Sequence, residues 1–244
     1  MSNSASFDPE IIAKMFPGAQ LERKTRNCPQ RRYYLIICEG EETETNYFEA
    51  LKCRLPPEMI HRIYIKGTGT NTLTLLERAE DECEKRYKSG EPPYYKIWLV
   101  FDHDSFPHDD FDNTIDATKS RTIAHKCYWQ CAWSNEAFEL WYLLHFHNHY
   151  AGMSRTAFRN KLQGELKALD VNRKYEKNAK DMYNLLEPLQ EQAIAHAKIM
   201  LINQYSKNIP PSQMNPATTV HLLVEELISY IPSVPKNGKT CTRK

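Results

Sequence analysis

No run of about 18 apolar residues occurs in the 244-residue sequence, so no membrane-spanning helix is expected. The first twenty residues lack a basic stretch followed by an apolar one, so no secretory signal is expected and the cytoplasm is the expected compartment. Seven cysteines are present, an odd number without a Cys-x-x-Cys pair, and they read as reduced structural thiols. Gly67-Thr68-Gly69-Thr70-Asn71 lacks the Gly-Lys-Ser/Thr ending of a nucleotide-binding loop, which leaves ATP binding unsupported. It reads as a turn and helix cap, with a contact to substrate phosphate as the alternative. No Gly-x-Ser-x-Gly elbow surrounds Ser134, so Ser134 or Asn135 is expected to cap a helix and not to act as a nucleophile. There is no internal repeat and no low-complexity tract.

Net charge is only +1, so overall charge does not announce a nucleic-acid partner. Local charge is more suggestive. Arg23, Lys24, Arg26, Arg31 and Arg32 crowd the segment before the first strand, and Lys236, Lys239, Arg243 and Lys244 end the chain. Such segments can neutralise phosphates, and so can Lys174 and Lys177. Arg31, Arg32, Lys174 and Lys177 are therefore the candidate nucleic-acid contacts; a solvated helical face is the bland alternative for the lysines and a solvated tail for the C-terminal group.

The first clear element is the apolar run Tyr33 to Cys38, a strand by composition, which breaks into Glu39-Gly40-Glu41-Glu42-Thr43-Glu44. A helix follows with Tyr47, Phe48 and Leu51 on one face. His61 to Lys66 predicts a second strand. After a cap at Asn71 or Thr72, a helix carries Leu73, Leu76, Ala79, Cys83 and Tyr87. Tyr95 to Phe101 is a third strand running into Asp102-His103-Asp104; a helix near residues 112–124 and a strand from Lys126 to Trp133 complete the set. Strands alternating with helices at this spacing predict an α/β fold with a mostly parallel, Rossmann-like sheet flanked by helices. From Ser134 onward the pattern is helical, with Asn215-Pro216 capping the last helix. The expected organisation is a basic N-terminal arm (1–30), an α/β core (31–133), a helical C-terminal part packed on it (134–230) and a basic tail (231–244).

In an open α/β sheet the active crevice lies beyond the carboxyl ends of the strands, where strand order reverses. Glu39 follows strand one and Asp102 and Asp104 follow strand three, so a 2-1-3 order brings these carboxylates together. Converging carboxylates repel one another and stay ionised when a cation shares the site. Oxygen-only ligands suit Mg²⁺ or Mn²⁺, which can activate water and stabilise a leaving oxygen in phosphodiester cleavage. Glu39, Asp102 and Asp104 are the catalytic candidates. Glu44 is a further ligand candidate from the next helix, and Glu139 is a ligand or supporting candidate among Phe138, Leu140 and Trp141. His145, His147 and His149 alternate as on a zinc-binding strand, yet at a helix end only His145 and His149 align. Packing for His145 and solvation for the others is the preferred reading. His103 reads equally as a proton donor or an exposed loop residue.

Cys38-Glu39-Gly40-Glu41-Glu42-Thr43-Glu44 with Tyr47-Phe48, then Val100-Phe101-Asp102-His103-Asp104, resembles the TOPRIM signature in its RloB-like form. Trp133 to Trp141, Leu143 to Phe146, and Asn215 to Val220 with Leu223-Val224 resemble further blocks of that family, so the likeness covers roughly residues 31–230. The resemblance implies a TOPRIM fold for the 31–133 core and a nuclease related to OLD-type enzymes, in which the glutamate and the Asp-x-Asp bind metal. It also implies a bacterial anti-phage role similar to that of the AbiLii abortive-infection proteins, beside an ATPase partner from a neighbouring gene. Carried over, Glu39, Asp102 and Asp104 match the metal site and Glu44 a second acid.

Two rival readings remain open at this point. One is a different phosphoryl-transfer enzyme; aspartyl-phosphate phosphatases are disfavoured because their Asp-x-Asp follows strand one, where this chain has Glu39. The other is a non-catalytic nucleic-acid-binding or ATPase-partner protein with a structural ion. A homo-oligomer is compatible with helical surface after residue 150.

Overall fold

The computed structural model describes residues 32–69, 72–103, 108–125, 127–149 and 151–232. Four parallel strands form the frame: β1 (Tyr34–Cys38), β2 (Ile63–Gly67), β3 (Lys96–Asp102) and β4 (Tyr128–Asn135). A two-residue strand, β5 (Ala217–Thr218), joins β4 antiparallel, giving the order β2-β1-β3-β4-β5. The 2-1-3 reversal expected from the sequence is present at β1. The fold is α/β with a mixed, mostly parallel five-stranded sheet flanked by helices.

Burial on both faces explains why β1 and β3 read as continuous apolar runs. Tyr34, Ile36 and Cys38 of β1, with Trp98 and Val100 of β3, point to one side. There they meet Tyr47, Phe48 and Leu51 of α1 (Thr43–Lys52) and the C-terminal helices. Leu35, Ile37, Ile97, Leu99 and Phe101 point to the other side, against Leu75, Leu76 and Ala79 of the helix Thr72–Lys88 and Phe111 of the helix His108–His125. A short helix, Pro57–Ile60, precedes β2; these three are α2, α3 and α4 in chain order, the short one first. Thus α1 covers one face of the sheet, and α3 and α4 the other.

The C-terminal part supplies α5 (Glu139–Leu144), α6 (Arg155–Leu169), α7 (Met182–Leu186), α8 (Gln190–Tyr205) and α9 (Val220–Ile228). All six residues of α5 are buried, so this helix is the core of that half. Rings pack edge to face around it: Tyr47 meets Phe138 at 5.6 Å between centroids and Tyr183 at 5.3 Å.

Several expectations are corrected here. The sequence after Ser134 is not wholly helical, because Ala217 and Thr218 pair with Asn135 and Ser134 and extend the sheet. Ser134 and Asn135 are therefore strand residues and not helix caps. Ser134 Oγ and Thr218 Oγ1 lie 3.0 Å apart, and Asn135 Nδ2 donates to the Ser212 carbonyl at 2.9 Å. Asn215-Pro216 leads into β5, and α9 starts only at Val220. The second strand begins at Ile63, since His61 and Arg62 form a turn. On α3, Tyr87 is 85% exposed, against expectation, and Leu75, which the sequence reading did not name, is in the core. Asn71 lies outside the described residues.

Candidate functional site

The carboxyl ends of β1 and β3 are held level by their register, Cys38 opposite Val100, and by the Glu39 amide donating to the Val100 carbonyl at 2.8 Å. Glu39 and Asp102 thereby leave the sheet side by side, and the Asp102 amide donates to Glu39 Oε2 at 3.2 Å. The loop from Gly40 to Glu42 then folds back so that α1 can begin at Thr43. Thr45 Oγ1 donates to the Gly40 carbonyl at 2.9 Å and pins that turn. A Cβ at Gly40 would run into the Glu44 carboxylate, so glycine lets that carboxylate fold over this backbone. A Cβ at Gly67 would lie 2.7 Å from Glu41 Cα, so the end of β2 needs glycine for the same loop to lie close.

These elements and the N-terminal turns of α5 and α6 enclose a cleft of about 280 Å³. Glu39, Glu44, Asp102 and Glu139 line it, with Arg155, Lys177 and the Gly40–Glu42 turn. Arg155 Nη2 donates to Asp102 Oδ2 at 3.0 Å. Arg159, one turn further along α6, donates through Nε to Glu139 Oε1 at 2.9 Å, and the Tyr175 hydroxyl donates to the same oxygen at 2.9 Å. The segment carrying Tyr175 and Lys177 is tied over the start of α1, with Thr43 Oγ1 donating to the Lys177 carbonyl at 3.2 Å and Asn46 Nδ2 to the Asn178 carbonyl at 3.2 Å.

Charge is held at a cost here. Asp102 is 5% exposed, and its Oδ1 is buried without a hydrogen-bond partner. Burial raises its pKa well above the usual carboxylate range. Glu44, Glu139 and Glu39 raise it further, against the lowering effect of Arg155. Glu44 is raised too, first by burial and then by Glu139, opposed by its own backbone amide, Arg155 and Lys177. Burial and the adjoining Glu139 likewise raise Tyr175, which keeps it a hydroxyl donor. Among the described residues no group of three or more acidic, histidine or cysteine side chains is placed to hold a metal ion. Mg²⁺ does not require one, because it binds through one or two carboxylates and keeps several waters.

Glu39, Glu44, Asp102 and Glu139 come together in the cleft, joined by Lys177. Asp104 and Arg31 lie outside the described residues, as do the basic arm and tail. Arg32 sits at the amino end of β1, its guanidinium 4.5 Å from the Tyr95 ring centre, and is not in the cleft. Lys174 is exposed beside a separate surface groove with Asp170, Arg173 and Glu176. His103 is buried edge-on against Phe111 at 4.9 Å between ring centres, which corrects its reading as an exposed loop residue. His145 and His149 are both buried, the second against expectation, whereas His147 is exposed and meets Glu165 at 3.0 Å. Arg155, Arg159 and Tyr175 escaped the sequence reading. Their only linear signal is the i, i+4 arginine pair after the Ser154 cap, and many exposed helices carry such pairs.

The fold and this cleft define a class: an α/β protein with an acidic, arginine-flanked pocket at the switch point of a parallel sheet. The chain belongs to the RloB-like protein family, whose model matches residues 34–227. No curated protein and no solved structure matches it.

Proposed function

We propose that this chain is a Mg²⁺- or Mn²⁺-dependent nuclease of the TOPRIM type, hydrolysing phosphodiester bonds of DNA or RNA, tRNA included. Asp102 carries the proposal. A carboxylate at the strand end keeps one oxygen buried and unanswered, beside three glutamates of the same sign. An arrangement that disfavours its own charge fits a site completed by a cation.

The donors present suit a hard divalent ion: all are oxygens, and they stand where β1 and β3 end. Glu39 and Asp102 would hold the ion, with Glu44, Glu139 and Asp104 as the further acids of the site. When bound, such an ion lowers the pKa of water and stabilises the leaving oxygen. The chain's own groups do the rest. Arg155 and Lys177 offer positive charge to phosphate oxygens. Arg159 and Tyr175 fix Glu139, and Phe138 closes one wall of the cleft. Arg31, Arg32 and Lys174 would contact nucleic acid beyond the cleft.

Within the same reading, the protein is an effector of bacterial anti-phage defence in the cytoplasm, working with an ATPase partner encoded nearby. Its membership in the RloB-like family supports this context. The described helices support a non-membrane reading, since none is long and apolar enough to cross a membrane. A non-catalytic, ATPase-partner role is favoured by one observation: Arg155 and Arg159 already neutralise Asp102 and Glu139, as a purely structural cluster would.

Cleavage of labelled DNA and of total tRNA separates the two. The purified chain, alone and with its neighbouring ATPase, is assayed in Mg²⁺, Mn²⁺ or EDTA beside Asp102→Ala and Glu39→Ala. The nuclease reading expects metal-dependent cutting that falls by about a hundredfold or more in both variants. No cutting under any condition, together with an Asp102→Ala protein that still works in the cell, would transfer the assignment to the non-catalytic role.

A further inference from the structure

The two arginines that pair with acids of the cleft differ in a way that assigns them different tasks. Both belong to the first turns of α6, a 15-residue helix capped by Ser154, whose Oγ accepts from the Ala157 amide at 3.4 Å. Arg159 is matched to Glu139, whose same oxygen also accepts from Tyr175, so that corner is closed by three groups. Arg155 is held at its backbone as well as through its side chain. Its amide donates to Glu136 Oε2 at 3.1 Å, and Glu136 Oε1 in turn accepts from Asn215 Nδ2 at 3.4 Å. Its side chain, 31% exposed, reaches into the cleft and takes one oxygen of Asp102, leaving the other buried and unanswered.

A divalent ion on the unanswered Oδ1 would draw on the same carboxylate charge that the guanidinium holds through Oδ2, so each weakens the other's hold on Asp102. Arg155 thus competes for the ligand that the proposed function needs. Released from Asp102, its guanidinium would remain at the mouth of the cleft because its backbone is anchored. Guanidinium groups match the geometry of phosphate oxygens, and the positive end of a long helix adds to that preference.

We propose that Arg155 is a phosphate-positioning residue that exchanges Asp102 for a non-bridging phosphate oxygen of the nucleic-acid substrate when a divalent cation occupies the cleft. Cation and substrate then favour each other, since each removes a partner the other would have to displace. The inference rests on the metal-dependent reading above and concerns how that site is regulated.

Mn²⁺ titration by calorimetry tests it on wild-type protein, Arg155→Gln, Lys177→Gln and Asp102→Asn, without reference to cleavage. Loss of the guanidinium should tighten Mn²⁺ binding by about tenfold, the worth of one charge-assisted hydrogen bond to the shared carboxylate. Lys177→Gln removes equal charge from the same cleft without a bond to Asp102, and should stay within about twofold of wild type. Binding of a labelled single-stranded DNA oligonucleotide in Ca²⁺ should weaken about tenfold in Arg155→Gln. Arg155→Lys should recover only part of it, since an ammonium lacks the planar fork. Mn²⁺ affinity in Arg155→Gln that is unchanged, weaker, or matched by Lys177→Gln overturns the exchange. Equal Mn²⁺ binding by wild type and Asp102→Asn is a different failure, because it removes the metal site itself.

Discussion

Two ends of the same sheet bury charge by opposite rules. At the amino end, Arg86 is 5% exposed and its guanidinium lies 4.5, 4.7 and 4.6 Å from the ring centres of Tyr33, Tyr64 and Tyr94. It donates through Nε to the Pro92 carbonyl and pairs with Glu91 at 2.8 Å. Every side of that cation is answered, by ring faces or by oxygens. At the carboxyl end, Asp102 is just as buried, yet one oxygen is unanswered and its neighbours Glu44, Glu139 and Glu39 share its sign. The first arrangement stabilises the fold; the second costs stability and leaves room for a ligand. Burial alone therefore says little about role, and what decides is whether the charge is satisfied.

Substitution sharpens that contrast most at its two extremes. Arg86→Ala should lose about 2–4 kcal/mol in urea denaturation, because it empties the ring cage and strands the Pro92 carbonyl. Asp102→Asn should lose no stability in the same measurement, although cleavage falls by about a hundredfold or more. If Asp102→Asn were as destabilising as Arg86→Ala, the two ends would follow one rule.

A smaller effect separates the carboxylates within the cleft. Glu139 has two donors and Asp102 an unanswered oxygen, so Glu139→Ala should destabilise by about 1–3 kcal/mol, leaving Tyr175 without its acceptor. Equal stability of Glu139→Ala and wild type in thermal melts would mean that Glu139, too, is held for a ligand.

Acid provides a further test that touches neither end. Burial lowers His145 to about 4, and His149 and His221 are also lowered to about 4 by burial. Each is depressed below the value of an unfolded histidine, so the unfolded chain binds more protons between about pH 6.5 and 4. The stability these groups contribute is full above about pH 6.5 and drains as pH falls toward 4. His145 is wholly enclosed and should account for about 1–2 kcal/mol of the loss between pH 7 and pH 5. A His145→Gln variant should lose correspondingly less over that interval, and an identical pH profile would contradict its neutral, buried state.

The sequence was most readable where local pattern and tertiary role coincide. The runs Tyr34–Cys38 and Lys96–Asp102 are apolar because both sheet faces are covered, and the acids that end them sit in the cleft because strand ends at a switch point face it. Glu139 was readable as a carboxylate among aromatics that needed a partner. The partners were not. Arg155 and Arg159 come from a helix whose pattern suits any exposed surface, and Tyr175 from a loop; only folding brings them to Asp102 and Glu139. The strand β5 was hidden for a similar reason, since two residues carry no periodicity and Ala217–Thr218 is defined by its pairing with Ser134 and Asn135. Tyr87 misled because a helical repeat gives a face but not where that face ends.

The most direct test of the account is the melting temperature of wild type and Asp102→Asn, each with and without Mg²⁺. Mg²⁺ at about a hundred times its dissociation constant should raise the wild-type midpoint by roughly 4 °C or more. Asp102→Asn should melt at or above metal-free wild type and gain nothing from the ion. A wild-type midpoint indifferent to Mg²⁺, with Asp102→Asn melting lower, would show that Asp102 is a structural carboxylate and that the cleft does not await a cation.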